Sequence, residues 1–370
     1  MTADQSTLNH TARILTEVAP QMPADTALRR YFVQHAYLGP RERRAISRSV
    51  FIYFRWWRWL DAKTSLQRQA EQAIGLDDRF QKNPASVKPE ALAARAVPEW
   101  VQDEMDLTPA WLQQLQREPA LWLRARPGQA GQLATGLGHC TTTPHATDAL
   151  HYTGAQDLFR TAQFHHGDFE IQDLASQLVG LAAAPAAGQT WWDACAGEGG
   201  KTLHLADQMQ NKGLIWATDR SARRLQTLKR RATRAKIYNF RSALWDGSDR
   251  LPTKTKFDGI LVDAPCSGVG TWQRNPHARW TTSRDDVREL ATTQLALLNR
   301  VAGSLKPGGR LVYAVCTLTR RETSGVTQAF SVAHPEFETV PVGAPAESGL
   351  LWPQTLNANG MFIAVWRRSA

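Results

Sequence analysis

Thr190-Trp-Trp-Asp-Ala-Cys-Ala-Gly-Glu-Gly-Gly-Lys-Thr202 is the stretch whose reading decides the fold class. An apolar strand runs into a turn with three glycines in four residues, and a helix follows. Such a turn lets backbone N–H groups come close to a ligand. The same rhythm recurs outward from it, beginning at Asp173. Gly213-Leu-Ile-Trp-Ala-Thr-Asp219, Phe257-Asp-Gly-Ile-Leu-Val-Asp263 and Gly309-Arg-Leu-Val-Tyr-Ala-Val315 are short apolar strands separated by helical stretches. The alternation predicts an α/β fold: a doubly wound, mostly parallel sheet with ligands at the carboxyl ends of its strands. Met361-Phe-Ile-Ala-Val-Trp-Arg367 reads as one more strand, after the turn Asn357-Ala-Asn-Gly360.

Upstream, the first hundred residues read as helical. Apolar positions such as Leu28, Phe32 and Ala36, then Ile46, Val50 and Phe54, recur every three or four residues. Phe51-Ile-Tyr-Phe-Arg-Trp-Trp-Arg-Trp-Leu60 predicts a core-facing helix whose arginines reach solvent. Residues 82–89 read as a linker or long turn, and Pro98 and Pro109 mark two helix starts. Leu121-Trp-Leu-Arg-Ala-Arg126 alternates like a strand and stops at Pro127-Gly128. The expected organisation is a helical part at 1–118, a small α+β segment at 119–168 and a Rossmann-like part at 169–370.

With 42% hydrophobic and 21% charged residues, the 370-residue chain is neither wholly disordered nor collagen-like. No apolar run approaches the roughly 20 residues of a membrane span. Met1 to His10 lacks a basic segment followed by an apolar one, so no secretory signal is expected. Four cysteines, at 140, 195, 266 and 316, are too sparse for a disulfide framework and form no CxxC pair. The expectation is a cytoplasmic protein with reduced thiols and no bound metal.

The formal charge is +10. Arginines 29, 30, 41, 43, 44, 48, 55 and 58 face one acid, Glu42, and residues 220–241 hold nine basic residues and no acid. Two separated basic clusters suit a long phosphate backbone better than a small anionic metabolite, because each phosphate contact adds affinity by counterion release. The alternative is that either cluster is a solvated helix face.

Three readings compete for the glycine turn. A P-loop needs Gly where Cys195 stands. A dinucleotide fingerprint is supplied by Gly197 and Gly199 but has Thr202 in its third glycine place. The third reading is a nucleoside cofactor whose amino-acid end lies on the turn. Asp219, at the next strand end, would bind ribose hydroxyls, and Asp246 would meet the adenine amino group, the arrangement used for S-adenosylmethionine.

Asp263-Ala-Pro-Cys-Ser-Gly-Val-Gly270 and Cys316-Thr-Leu-Thr319 follow two further strands, so both thiols should open onto the cofactor crevice. Beside a methyl donor, two thiols have a specific use. Carbon 5 of a pyrimidine becomes nucleophilic when a thiolate adds at carbon 6. Loss of the carbon 5 proton and elimination of the thiol then call for a second acid/base group. Asp263 would hydrogen-bond ring N3 and the exocyclic amine. The structural alternative is that each Cys is a small core residue.

These motifs, together with Lys-Pro-Gly-Gly-x-Leu-Val-Tyr-x-x-Cys-Thr at 306–317, resemble the RNA 5-methylcytosine methyltransferases of the RsmB/NOP/Sun family. The resemblance covers about 160–370 and includes Gln-Asp-x-x-Ser at 172–176 and Arg274-Asn-Pro-His-Ala-Arg-Trp280. Leu38-Gly-Pro-Arg-Glu-Arg-Arg-Ala-Ile-Ser47 resembles the helical RNA-binding extension of the RsmB branch. The resemblance implies a class I S-adenosylmethionine-dependent methyltransferase domain behind a NusB-like helical extension. It implies Cys316 as nucleophile, Cys266 as the residue assisting proton removal and release, and Asp263 as the holder of a flipped cytosine. Cofactor contacts would fall on Cys195, Ala196, Gly197, Glu198, Gly199, Gly200, Lys201, Asp219, Arg224, Asp246 and Asp263. Lys201 would touch cofactor, target base or phosphate.

The implied substrate is a single-stranded or loop cytosine, since the base must leave its stack. The RsmB-like extension leans toward small-subunit ribosomal RNA over transfer RNA, with the protein working as a monomer. Two positions depart from the family pattern: Gly197-Glu198 precedes Gly199 where the family has x-Pro, and Val315 stands where Thr usually precedes the nucleophile. The rivals are a non-catalytic RNA-binding or ribosome-assembly factor of the same shape, and a methyltransferase of proteins or small molecules.

Overall fold

A computed structural model describes residues 4–369. Residues 1–3 of the stretch read above for a secretory signal lie outside the described residues. Contacts divide the chain into two units: 1–119 with 271–284, and 120–270 with 285–370.

The first unit is helical. Side chains of Asp4, Ser65 and Thr108 cap three of its helices by accepting from the N–H of Thr7, Arg68 and Trp111. The helix Pro40–Trp56 begins on a proline, which has no N–H to leave unpaired. The expected 51–60 helix ends at Trp56 and tightens into a single turn at Trp57–Trp59. Its arginines separate. Arg58 is exposed, whereas Arg55 is buried and bonds Asp77 Oδ1 at 3.2 Å, an oxygen that also accepts from Trp56 Nε1. A carboxylate on the neighbouring helix Leu66–Lys82 therefore overrides the usual escape of arginine to water.

Of the two expected proline starts, Pro109 opens a helix, whereas Pro98 precedes one that begins at Val101. Within 82–89 the chain makes one turn, Pro84–Ser86, and enters a helix at Pro89. Residues 271–284 complete this unit: Trp280 Nε1 donates to Phe54 O, and the buried Arg279 donates to the carbonyls of Ala96 and Leu115.

The second unit contains two sheets. β1 (Leu121–Ala125), β2 (Cys140–Thr143), β3 (Ala146–Tyr152) and β4 (Phe169–Ile171) form an antiparallel sheet in the order β2-β3-β1-β4. The boundary expected at 168/169 falls inside this sheet, because β4 pairs with β1. The Gln-Asp-x-x-Ser segment follows, with Asp173 capping the helix Leu174–Ala183.

The larger sheet comprises β5 (Thr190–Asp193), β6 (Leu214–Asp219), β7 (Phe240–Leu244), β8 (Phe257–Asp263), β9 (Leu305–Val315), β10 (Phe337–Val340), β11 (Leu350–Leu351) and β12 (Met361–Arg368). Its path is β10-β12-β9-β8-β5-β6-β7, with β11 on β12. Strands β9, β8, β5, β6 and β7 run parallel, while β12 returns antiparallel to β9. Because β6 lies on one side of β5 and β8 on the other, the switch point where ligands bind falls beside β5.

β5 ends at Asp193, which is fully buried. Burial raises its carboxyl to about 7, against a hydrogen bond from Thr202 Oγ1 at 2.6 Å. The group's folded pKa lies above its unfolded value, so its contribution to stability is complete near pH 4 and is lost as pH rises through about 7. Urea titrations should therefore show wild type losing, on the order of 4 kcal/mol at most, relative to Asp193→Asn between those limits. Parallel curves for the two proteins would exclude this. In the helical unit, Asp77→Ala leaves the Arg55 guanidinium buried without its carboxylate, and should cost about 3–5 kcal/mol by the same measurement.

Candidate active site

Parallel register sets the strand ends side by side: Asp193 lies opposite Ala217 of β6 and Leu261 of β8, and Asp263 lies opposite Ala314 of β9. The loops leaving these ends line a cleft of about 530 Å³. Cys195, Ala196, Gly197, Glu198, Gly200, Lys201, Asp219, Arg224, Asp246, Asp263, Cys266 and Cys316 all reach it. Gly199 does not line it. That glycine has φ +87° and packs against the helix Ala222–Arg234, where an added Cβ would come within 2.6 Å of Leu228 Cγ. Gly197, at φ +56°, has open space around it, so its freedom serves the turn itself.

Asp219 braces that turn by accepting from the N–H of Gly197 at 3.0 Å and of Ser221 at 2.8 Å. Arg224 lies 3.9 Å from the same carboxylate. Asp246 is exposed and accepts from Ser248 N. Sequence reasoning missed the apolar walls, Trp245 and Leu297, and also Arg231, which line the cleft as well. Trp245 immediately precedes Asp246, whereas Leu297, on the long helix Arg284–Ala302, carries no local signal. Carboxylates at 219, 246 and 263 around an apolar wall fit the ribose, amine and sulfonium of S-adenosylmethionine, a cationic nucleoside.

The reacting groups expected from sequence converge. Cys266 Sγ and Cys316 Sγ lie 3.3 Å apart as free thiols. Gly270 N donates to Cys316 O, and Gly360 N donates to Gly270 O. A Cβ at Gly270 would stand 2.0 Å from Gly360 O, so only glycine allows this approach between the cysteine loop and the start of β12. Hydrogen bonding from Cys266 lowers Cys316 below the ordinary thiol range, with help from Lys201 and against burial and Asp263. The same bond, with burial, holds Cys266 well above that range. Of the two, Cys316 is the thiol whose ionised form its surroundings favour.

Lys201 Nζ donates to Asp263 Oδ2 at 2.6 Å. Burial disfavours its ammonium, but the Asp263 carboxylate outweighs this and raises the lysine. Cys195 lines the same cleft, yet burial and the surrounding aspartates push its thiol far up, so it stays neutral.

Of the two departures from the family pattern, the one at Val315 has a local explanation. Val315 is fully buried in an apolar cluster with Trp192, Val262 and Phe330, an environment that suits valine. Glu198 lines the cleft, and its carbonyl accepts from Arg231 at 3.0 Å.

The basic clusters are partly consumed within the fold. Arg29, Arg48 and Arg55 pair with Asp25, Glu118 and Asp77, and Arg231 and Arg234 both bind Glu170. Arg30, Arg41, Arg44, Arg58, Arg223, Lys229, Arg230 and Arg241 are exposed.

Comparison with known proteins identifies the family. A family profile described as 16S rRNA methyltransferase RsmB/F matches residues 181–367. The probable ribosomal RNA small subunit methyltransferase B of Bacillus subtilis is 40% identical over 177 residues, 47% of this chain and 40% of that protein. The ribosomal RNA small subunit methyltransferase B of Vibrio cholerae is 34% identical, over 60% of this chain and 52% of that protein. The chain thus spans about half the length of the curated relatives it matches. A solved methyltransferase homolog protein from Pyrococcus horikoshii superposes with a TM-score of 0.63 at 26% identity, over 70% of this chain and 90% of that one. With the profile covering half its length, Cys266 and Cys316 included, this chain belongs to the 16S rRNA methyltransferase RsmB/F family.

Proposed function

We propose that the chain is an S-adenosylmethionine-dependent RNA methyltransferase that forms 5-methylcytosine in ribosomal RNA. The observation that carries this reading is the thiol pair, 3.3 Å apart at the carboxyl edge of a parallel sheet and sharing one cleft with Lys201 and Asp263. The names of the relatives support the substrate class.

The glycine turn would hold the amino-acid end of the cofactor, Asp219 the ribose, and Asp246 with Trp245 the adenine. S-adenosylmethionine, when bound, supplies the methyl group that carbon 5 takes. The rest falls to the protein. Cys316 adds as thiolate to carbon 6, and the electrons of the C5–C6 double bond become available at carbon 5. Asp263 accepts from the exocyclic amine, while the ammonium of Lys201 offsets the charge gathering toward N3. Cys266 assists removal of the carbon 5 proton. The electrons of that C–H bond rebuild the double bond as the Cys316 sulfur leaves. A thiol reaches carbon 6 only on an unstacked base, so the target cytosine is single-stranded or extruded.

Three outcomes test the reading. With S-adenosylmethionine and total RNA, Cys266→Ala should accumulate a covalent protein–RNA adduct on a denaturing gel, and Cys266→Ala/Cys316→Ala should form none. Cys316→Ala should lower methyl transfer by roughly 10³-fold or more. Wild-type turnover by Cys316→Ala would end the proposal, and cofactor binding with no transfer to any RNA would favour a non-catalytic factor. Asp219→Asn should raise the Kd for S-adenosylmethionine by roughly tenfold or more in calorimetry, with the thermal transition retained.

The pH dependence follows from the thiol pair. Rate should rise with pH through a Cys316 pKa below that of a free thiol, because only the thiolate adds. Removing the Cys266 donor should move the limb for adduct formation to higher pH. An unmoved limb would contradict the assignment of donor and acceptor.

A further inference from the structure

Glu322 is fully buried, one residue into a π-helical turn, Arg321–Gly325, that follows the Cys316 loop. π-Helical turns are rare and collect at functional sites. Its carboxylate takes no part in the chemistry above, yet five donors converge on it. Oε1 accepts from Ser267 N at 2.8 Å and Gln294 Nε2 at 2.9 Å. Oε2 accepts from the hydroxyls of Ser267, of Thr317 at 3.1 Å and of Thr319 at 2.8 Å. Ser267 is the residue after Cys266, and Thr317 the residue after Cys316. One buried anion therefore holds the two cysteine loops to each other.

The surroundings fix the anion in turn. Gln294, fully buried on the helix Arg284–Ala302, donates as well to Pro265 O, the carbonyl just before Cys266. Tyr313, on β9 three residues before Cys316, shares its one hydroxyl proton between Gln294 Oε1 at 2.9 Å and Glu322 O at 2.7 Å. Residues on both sides of Cys266 are thus fastened to the strand and turn that flank Cys316. A fully buried carboxylate needs such a set of donors, because each one lost leaves polar atoms desolvated.

We propose that Glu322 is a positioning residue that sets the spacing of Cys266 and Cys316, and through it the rate of the steps that need both thiols. The proposal rests on the reading of those cysteines as a working pair. Its role is to position, since the groups it holds are neighbours of the thiols.

The test uses the whole chain. Dibromobimane becomes strongly fluorescent only when both arms alkylate thiols a few ångströms apart, so it reads the Cys266–Cys316 spacing without RNA or cofactor. Cys266→Ala and Cys316→Ala give the unbridged background. Glu322→Gln keeps the side chain's size but turns one acceptor into a donor facing donors. It should bridge more slowly than wild type and lose between about tenfold and hundredfold in kcat. Its KM for RNA and for S-adenosylmethionine should stay within about twofold. Thr319→Val, nearly isosteric and two residues beyond Thr317, should move both readouts the same way but less, and it carries the test if Glu322→Gln does not fold. Wild-type bridging and kcat in both variants would overturn the proposal, as would a rise in KM with kcat unchanged. Wild-type protein that bridges but methylates no RNA would overturn the functional reading alone, since the bridging rates still report what Glu322 does.

Discussion

Parallel pairing of β8 with β5 on one side and β9 on the other is the constraint on which the site depends. Strands that run the same way end at the same edge, so residues far apart in sequence arrive together without long side chains. The turn at 193–202, the loop at 263–270 and the loop at 316–319 are each the exit from one of these three strands. Trp192, Ile260 and Leu311 lie beneath that edge in one buried cluster, so moving a strand in register would bury or expose every group above it.

Charge placement follows from the same packing. Three carboxylates stand at adjacent strand ends, and the fold answers each differently. Asp193 has Thr202 and a pKa raised to about 7, Asp219 takes two backbone N–H groups, and Asp263 has the ammonium of Lys201. Elsewhere in this unit Glu170 collects Arg126, Arg231 and Arg234, while Arg124 and Arg126 share Asp207. These pairs withdraw basic residues from any phosphate surface and leave the exposed part of the helix Ala222–Arg234 to carry positive charge beside the cleft.

Two like thiols at 3.3 Å would compete if their surroundings matched. They do not match. Lys201 favours the ionised form of Cys316, while burial holds Cys266 well above the ordinary thiol range. Environment thus pushes two residues of one type in opposite directions. The separation needs a fixed S–S distance, which glycine contacts at 270 and 360 and hydrogen bonds around Ser267 and Thr317 supply.

The strand-and-helix alternation after Asp173, the glycine turn and the two cysteines were legible in the chain because each is a local pattern of residue types. Strand polarity and the doubly wound order then follow from general rules, so most of the cleft was also legible, down to Asp219 and Asp263. What was not legible depends on partners distant in sequence. Arg55 reads as a solvent-seeking arginine until Asp77 is packed beside it. Phe169–Ile171 looks like part of the larger α/β region, yet its backbone pairs with β1. Residues 271–284 continue directly from the cysteine loop, yet pack with the helices of 1–119 through Arg279 and Trp280. Gly199 reads as a cofactor residue by position, and its packing against Leu228 was not legible. Glu322 carries no motif of its own. Sequence determines which groups can do chemistry, since that is a property of residue type; only the tertiary structure decides which are buried, paired and held at bonding distance, since those depend on atoms that the chain brings together by folding.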